Sequence, residues 1–177
     1  MKGIKTSSAL LLVSIFFLIT GCAQTKQITS SSIAPEGTTV GRHFNDTLTI
    51  SVSGGREKDP LGISEVPNEI LLQAVKDTIL ETKLFKQVIE NDADYKLELF
   101  IVKIGQPIAG NDMTVNVEIA WALKIGSTDK VVWKRSIATS AVKTKEDESM
   151  AVNRIILATE AATKLNIEQG IESLSNI

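Results

Sequence analysis

A strict two-residue alternation between Met113 and Ile125 constrains the fold more than any other feature of the sequence. One face of this segment is wholly apolar, and the other carries mainly polar side chains. Only an extended strand separates neighbouring residues in this way, so the segment is predicted to be a strand with one buried face. Its apolar positions are Met113, Val115, Val117, Ile119, Trp121, Leu123 and Ile125.

Similar alternation predicts further strands over 47–53, from Tyr95 onward and from Val131 onward, with a short one over 85–89. From Phe100 onward both faces of the Tyr95 strand turn apolar, which predicts a central strand covered on both sides at that end. The turn at 126–129 predicts a hairpin that places Ile125 opposite Val131 and Trp121 opposite Arg135.

Two helices are predicted around these strands. Pro67 suits the first turn of a helix that runs to about Lys83, with Leu71, Val75 and Ile79 on its apolar side. Thr144 and Asp147 resemble a capping box, which predicts a longer helix from there to about Gly170.

The order of these elements is strand, helix, four strands, helix. It predicts a single α+β domain over residues 44–177. The expected architecture is a two-layer sandwich, with a largely antiparallel sheet of about five strands and two helices on one face.

The N-terminus has the pattern of a secretory signal. Lys2 and Lys5 precede an apolar run over 9–19, which is shorter than the roughly 20 residues that a spanning helix needs. The sequence Ile19-Thr20-Gly21-Cys22 then resembles the lipobox of bacterial type II signal peptides. The resemblance implies cleavage after Gly21 and lipid attachment at Cys22, and the absence of Asp after the cysteine implies the outer membrane. An ordinary signal with an incidental cysteine and an uncleaved anchor are the alternatives.

Residues 22–43 are predicted to be a lipidated flexible tether that follows a signal peptide over 1–21. Ser, Thr, Gln and Gly dominate this stretch, and it has no apolar period. A coil of this length would let the domain search for a partner some distance from the membrane. Ile28, Ile33 and Val40 are the residues that could dock on the domain instead.

A helix, a strand containing Leu84-Phe85 and Val88, and a following Ala93-Asp94-Tyr95 resemble features of small periplasmic lipoproteins. That group includes penicillin-binding-protein activators, ABC-transport auxiliary lipoproteins and curli-secretion lipoproteins. The resemblance implies a small α/β sandwich that docks other envelope proteins. It carries over no functional residue besides Cys22.

The net charge of the chain limits the kinds of partner that are expected. Without Lys2 and Lys5 the chain has 17 basic and 21 acidic residues, so it is mildly acidic and shows no basic stripe. Nucleic-acid binding and adhesion of the domain itself to anionic lipid are therefore not expected. The single cysteine excludes an intramolecular disulfide.

No residue grouping predicts catalysis or a metal. The acids Asp92 and Asp94 border a strand, and the acids at 146–148 lie at a predicted helix start, so turn and capping roles explain both groups. The single histidine, His43, has no orienting partner nearby in sequence. The chain is accordingly expected to be no enzyme and to need no cofactor.

Trp121 and Arg135 are the candidate binding residues. Tryptophans at 121 and 133 could form a stacking surface for sugars, although alternation favours the core. Arg135 on the same face could hold a ligand anion or a partner carboxylate, or extend past Trp121 in a cation–π contact.

The expected function is that of a membrane-anchored periplasmic adaptor that binds or assembles envelope proteins without catalysis. The alternative is a carrier or sensor of a lipid or other apolar ligand held between helices and sheet. A cell-wall hydrolase is the third hypothesis, and the acid positions argue against it.

Overall fold

The structure is a computed structural model that describes residues 26–55, 66–107 and 109–177. The predicted signal peptide and Cys22 lie outside the described residues. The elements in chain order are α1 (Ser30–Ile33), β1 (Phe44–Gly54), α2 (Asn68–Thr82), β2 (Phe85–Val88), β3 (Tyr95–Gly105), β4 (Met113–Ile125), β5 (Val131–Lys143) and α3 (Ala151–Ser175).

The five strands form one mixed sheet in the order β2-β1-β3-β4-β5. β1 runs parallel to both β2 and β3, whereas β3–β4 and β4–β5 are antiparallel. The predicted α+β class and strand number are confirmed, but the sheet is antiparallel only in half of its pairings. The reason is that α2 returns the chain across the sheet between β1 and β2, and a strand–helix–strand connection allows parallel pairing.

The core lies between the sheet and the two long helices. Buried positions alternate along β4, and Leu123, Trp121 and Ile119 lie beside Leu97, Leu99 and Ile101 of β3. Ile79 and Ala162, from α2 and α3, join the same cluster. The buried face of the sheet is therefore the face that the helices cover.

The α3 helix differs from its prediction at both ends. Asp147 accepts hydrogen bonds from the backbone N–H (2.8 Å) and hydroxyl of Thr144, but this pair closes a turn, and the helix begins at Ala151. At the other end Gly170 lies inside the helix, which continues to Ser175. A Cβ on Gly170 would lie 2.5 Å from Cζ2 of Trp121, so the glycine allows close packing rather than ending the helix.

The predicted flexible tether is wrong over residues 26–43, because this segment packs on the domain. Ile33 is fully buried between the long helices, and Ile28 and Val40 pack partly against the core. The Lys26 ammonium lies 2.7 Å from the carboxylate of Glu160 on α3. A few buried apolar residues thus dock a segment whose composition is otherwise typical of a linker.

The predicted β4–β5 register holds at its centre and fails at the turn. Trp121 lies opposite Arg135, as expected, but Val131 lies opposite Lys124 instead of Ile125. An irregularity after Leu123 shifts the pairing by one residue. Such a bulge leaves Val132 without a partner on β4.

Candidate functional site

The face of the sheet that points away from the helices carries exposed apolar side chains. Phe100 on the central strand β3 is 52% exposed, and Val102 is 43% exposed. The prediction that this end of β3 is covered on both sides is therefore wrong. Among the described residues, both long helices pack on the other face. An exposed phenylalanine in the middle of a sheet is an unusual use of a large apolar side chain.

Small side chains surround Phe100 and form a shallow trough. Ala120 lies between Phe100 and Ser136 in one row across the sheet, and Ala122 lies between Glu98 and Lys134 in the next row. The trough has a volume of about 890 Å³, and its β1 side is lined by Ser51 and Ser53. Alanines thus form its floor, and the larger residues of β3 and β5 form its walls.

Some charged groups in and beside this trough have a partner within the domain, and one does not. Glu98 forms an ion pair with Lys124, and the Glu118 carboxylate accepts a hydrogen bond from the Ser136 hydroxyl at 2.7 Å. Lys134 forms no ion pair with any described residue and is exposed. The surface therefore offers a partner one aromatic ring and one unpaired cation.

Trp121 does not contribute to an exposed surface. Its side chain is 1% exposed on the helix side, and its Nε1 donates a hydrogen bond to Oδ1 of Asn166 at 3.1 Å. Gly170 of α3 lies directly against the ring. The candidate role in ligand stacking is thereby replaced by a role in the core.

Arg135 lies opposite Trp121 on the edge strand β5 and is exposed. The described residues give its guanidinium no ion pair, and the cation–π contact found among them is between Arg42 and Phe44, at the start of β1. The ring of Trp121 is too deeply buried for the contact expected at Arg135. Arg135 therefore keeps its donors free for a group from outside the chain.

The acids of the β2–β3 loop have a structural role. Asp94 accepts hydrogen bonds from the backbone N–H (2.9 Å) and the hydroxyl (2.7 Å) of Thr47. These bonds, led by the one from the backbone, lower the pKa of Asp94 below its usual value of 3.8. They join the start of β3 to β1, as expected for a turn residue.

We expect Asp94→Asn to be less stable than the wild type at neutral pH, because an amide accepts weaker hydrogen bonds than a carboxylate. The folded pKa is lowered, so the contribution is present above pH 3.8 and lost as the pH falls through the folded pKa. Urea denaturation across this pH range should show a steeper loss for the wild type than for Asp94→Asn.

The matched control is Asp92→Asn, since Asn tolerates the left-handed backbone at that position (φ 55°). This variant should keep the pH dependence of the wild type. An equal change in both variants would contradict the role of the bonds between Thr47 and Asp94.

The histidine and the acids at 147 and 148 form hydrogen bonds with backbone groups. His43 Nδ1 lies 2.9 Å from the carbonyl oxygen of Lys83. The acids Asp147 and Glu148 have lowered pKa values, chiefly because the backbone N–H groups of Thr144 and Met150 donate to them. The described part of the chain has no group of three or more His, Cys, Asp or Glu residues placed to hold a metal ion.

The helices pack closely on the sheet at the places where contacts between them are described. A gap bordered by Leu71, Ile101, Val117 and Thr163 is too small to admit a water molecule. The hydroxyl of Thr139 on β5 donates a hydrogen bond to the backbone carbonyl of Ala162 on α3 at 2.7 Å. This bond fixes the helix on the sheet. This region of the described structure gives no support to a ligand carried between the layers.

Within the described residues, no helix is both long and apolar enough to cross a membrane.

No protein-family model matches the sequence, and a comparison with curated proteins finds no match. Solved structures show a similar fold. Protein XCC0632 from Xanthomonas campestris, of the family DUF330, has a TM-score of 0.60 at 15% identity, over 81% of this chain and 91% of that chain. The hypothetical protein CT253 from Chlamydia trachomatis has a TM-score of 0.50 at 5% identity, over 71% and 95% of the two chains.

Lipoprotein GNA1162 from Neisseria meningitidis is a more distant neighbour, with a TM-score of 0.45 at 11% identity over 74% of this chain and 99% of that chain. At such identities the likeness to XCC0632 and CT253 concerns the fold alone. The particular lipoprotein group expected from the sequence stays a prediction.

Proposed function

We propose that this chain is a lipoprotein, anchored to the outer membrane through Cys22, that docks another cell-envelope protein without catalysis. The docking surface is the open sheet face around Phe100. The observation that carries the proposal is the exposure of Phe100 on the central strand, in a trough of small residues. Full burial of an exposed phenylalanine is worth about 1.5–3 kcal/mol. Phe100 is 52% exposed, so about half of that remains to be gained on docking, and aromatic residues in pockets dominate many interfaces.

The short connection to Cys22 supports a function close to the membrane. Only three residues separate Cys22 from Lys26, which is paired with Glu160 of the folded domain. Four fully extended residue steps span at most about 14 Å. A lipid on Cys22 would therefore hold the domain next to the bilayer instead of at the end of a long flexible tether.

Photo-crosslinking in living cells tests the docking surface. A crosslinking amino acid placed at Ser53, Ala120 or Ser136 in the full-length chain should capture one and the same envelope protein. Crosslinkers at the exposed helix positions Gln73 and Gln169 are the matched controls and should not capture it. Capture from the helices and not from the trough would overturn the proposed surface, and a blank at all five positions would overturn the adaptor function.

We expect Phe100→Ser to reduce this capture at least about tenfold while stability changes little, since half of the side chain is already in water. The reason is that the variant removes the aromatic anchor and keeps the surrounding trough. Crosslink yield from Ser136 and a urea denaturation curve measure the two effects.

Leu80→Ser is the control for Phe100→Ser, because Leu80 is 45% exposed on the helix layer. It should keep the wild-type yield. A wild-type yield from Phe100→Ser would exclude the ring as an anchor.

A further inference from the structure

The helix side of the sheet is incompletely covered at β5. On β4, Val115, Ile119 and Leu123 are at most 1% exposed, yet their direct neighbours on β5 are only partly buried. Those neighbours are Ala141, Ile137 and Trp133. At the opposite edge, Phe85 of β2 is 2% exposed. The apolar side chains of β5 are thus only partly covered, although α3 packs on this strand at the buried Thr139.

β5 is also a long edge strand, and no other described strand pairs with its outer side. It has 13 residues and contains neither proline nor glycine. Exposed edges of this kind can accept a further strand, and proteins usually block them with charges, bulges or short length. Here the bulge lies only at the start, near Val131, and the rest of the edge is regular.

The charges on this edge all have one sign. β5 carries Lys134, Arg135 and Lys143 and no acid, and of these Lys143 is paired with Asp147. Lys134 points to the open face beside Ala122, and Arg135 points to the helix face beside Trp121. Two cations that have no ion pair among the described residues therefore lie in the first half of β5, one on each face.

We propose that the β5 edge receives an extended segment of the partner protein that contains two adjacent acidic residues. Neighbouring side chains of an added strand point to opposite faces, so one acid contacts Lys134 and the next contacts Arg135. The backbone of the segment pairs with β5, as in other cases of strand addition. This inference rests on the proposed docking function and identifies the chemistry of the partner.

A second copy of this chain fits the edge less well. Pairing β5 with β5 would bring two strands of cations, without any acid, into one ribbon, and like charges across strands are destabilising. The same cations that deter self-pairing select a partner of opposite charge.

Synthetic peptides test the charge preference. Ten-residue peptides of alternating Thr and Val would carry Glu-Asp, Gln-Asn or Lys-Lys at their centre, and their binding to the full chain in detergent would be followed by fluorescence polarisation. We expect the Glu-Asp peptide to bind about tenfold more tightly than the Gln-Asn peptide, since two ion pairs are gained. Hydrogen exchange of the complex should show slowed exchange along β5.

Charge-reversed variants make the test specific. Lys134→Glu with Arg135→Glu should reverse the preference toward the Lys-Lys peptide, and the milder Lys134→Gln with Arg135→Gln should abolish it. Lys86→Glu on the other edge strand is the control and should behave as the wild type. Circular dichroism confirms that each variant is folded.

Several results would overturn the inference: no binding of any peptide, equal binding of all three, or slowed exchange outside β5. Slowed exchange at β5 in the protein alone, with a doubled mass, would show that a second copy occupies the edge. If these results occurred while the trough still captured its partner, the proposed function would stand and only the acidic segment would be excluded.

Discussion

Trp121→Ala is expected to lower the free energy of unfolding by about 3–5 kcal/mol. The side chain is 1% exposed and lies between the sheet and Gly170 of α3, so its removal leaves a cavity that a glycine cannot fill. The variant also leaves Oδ1 of Asn166 without its indole donor at a buried position. For a domain of ordinary stability this is a large fraction of the total.

Trp133→Ala is the matched control for this prediction. Trp133 lies diagonally from Trp121 on the same face, but it is only partly buried at the β5 edge. Urea denaturation followed by circular dichroism should give a clearly smaller loss for Trp133→Ala. Equal losses of unfolding free energy would contradict the prediction that the packing of Gly170 on Trp121 makes Trp121 the more stabilising of the two tryptophans.

The environment of Trp121 contains one feature that the sequence predicts and one that it does not. Strict alternation from Met113 to Ile125 predicted which face of β4 is buried, and the structure confirms it at every odd position from Met113 to Leu123. The hydrogen bond to Asn166 could not be predicted, because it joins positions 45 residues apart. Asn166 is a fully buried polar residue of α3, whereas its apolar neighbour Leu165 is 36% exposed.

The sequence-based prediction is wrong for the candidate surface. The apolar residues Phe100, Val102 and Ile104 predict a strand end covered on both sides, but Phe100 and Val102 are exposed. The even positions Lys96 and Glu98 share the parity of Phe100, and both are polar. Continuing that alternation would have placed Phe100 on the solvent face, whereas local hydrophobicity alone favoured burial. The irregularity between Ile101 and Lys103 then changes the alternation near Val102.

The remaining differences come from long-range packing. The parallel pairing of β1 depends on where α2 returns the chain, and no local pattern encodes it. The short helix α1 has the sequence Ser-Ser-Ser-Ile and forms because Thr29 caps it and Ile33 enters the core. Its composition is typical of a linker, and the few apolar residues that dock it on the core, Ile28, Ile33 and Val40, are too widely spaced to form a pattern.

Cys22→Ala is expected to abolish lipid incorporation. Cys22 is the sole cysteine of the chain, so a labelled fatty acid that enters through the lipobox has no other thiol to use. Metabolic labelling with palmitate should therefore fall to background in this variant, with the protein still present by immunoblot. Ser14→Ala, within the apolar run, is the control and should keep the label. Label retained in Cys22→Ala would contradict lipidation at this residue.

If the proposed anchor at Cys22 also sets the distance of the docking surface from the membrane, a spacer should change that distance. Ten Gly/Ser residues inserted between Gln24 and Thr25 should leave labelling intact, because the lipobox is unchanged. They would add up to about 35 Å of reach to a connection that spans at most about 14 Å between Cys22 and Lys26. If the partner's site lies at a fixed distance from the membrane, this freedom lowers the local concentration of the trough at that site. Crosslinking from Ser136 should then fall although Phe100 and the β5 edge are unchanged, and an unaltered yield would show that the anchor sets the compartment but not the height.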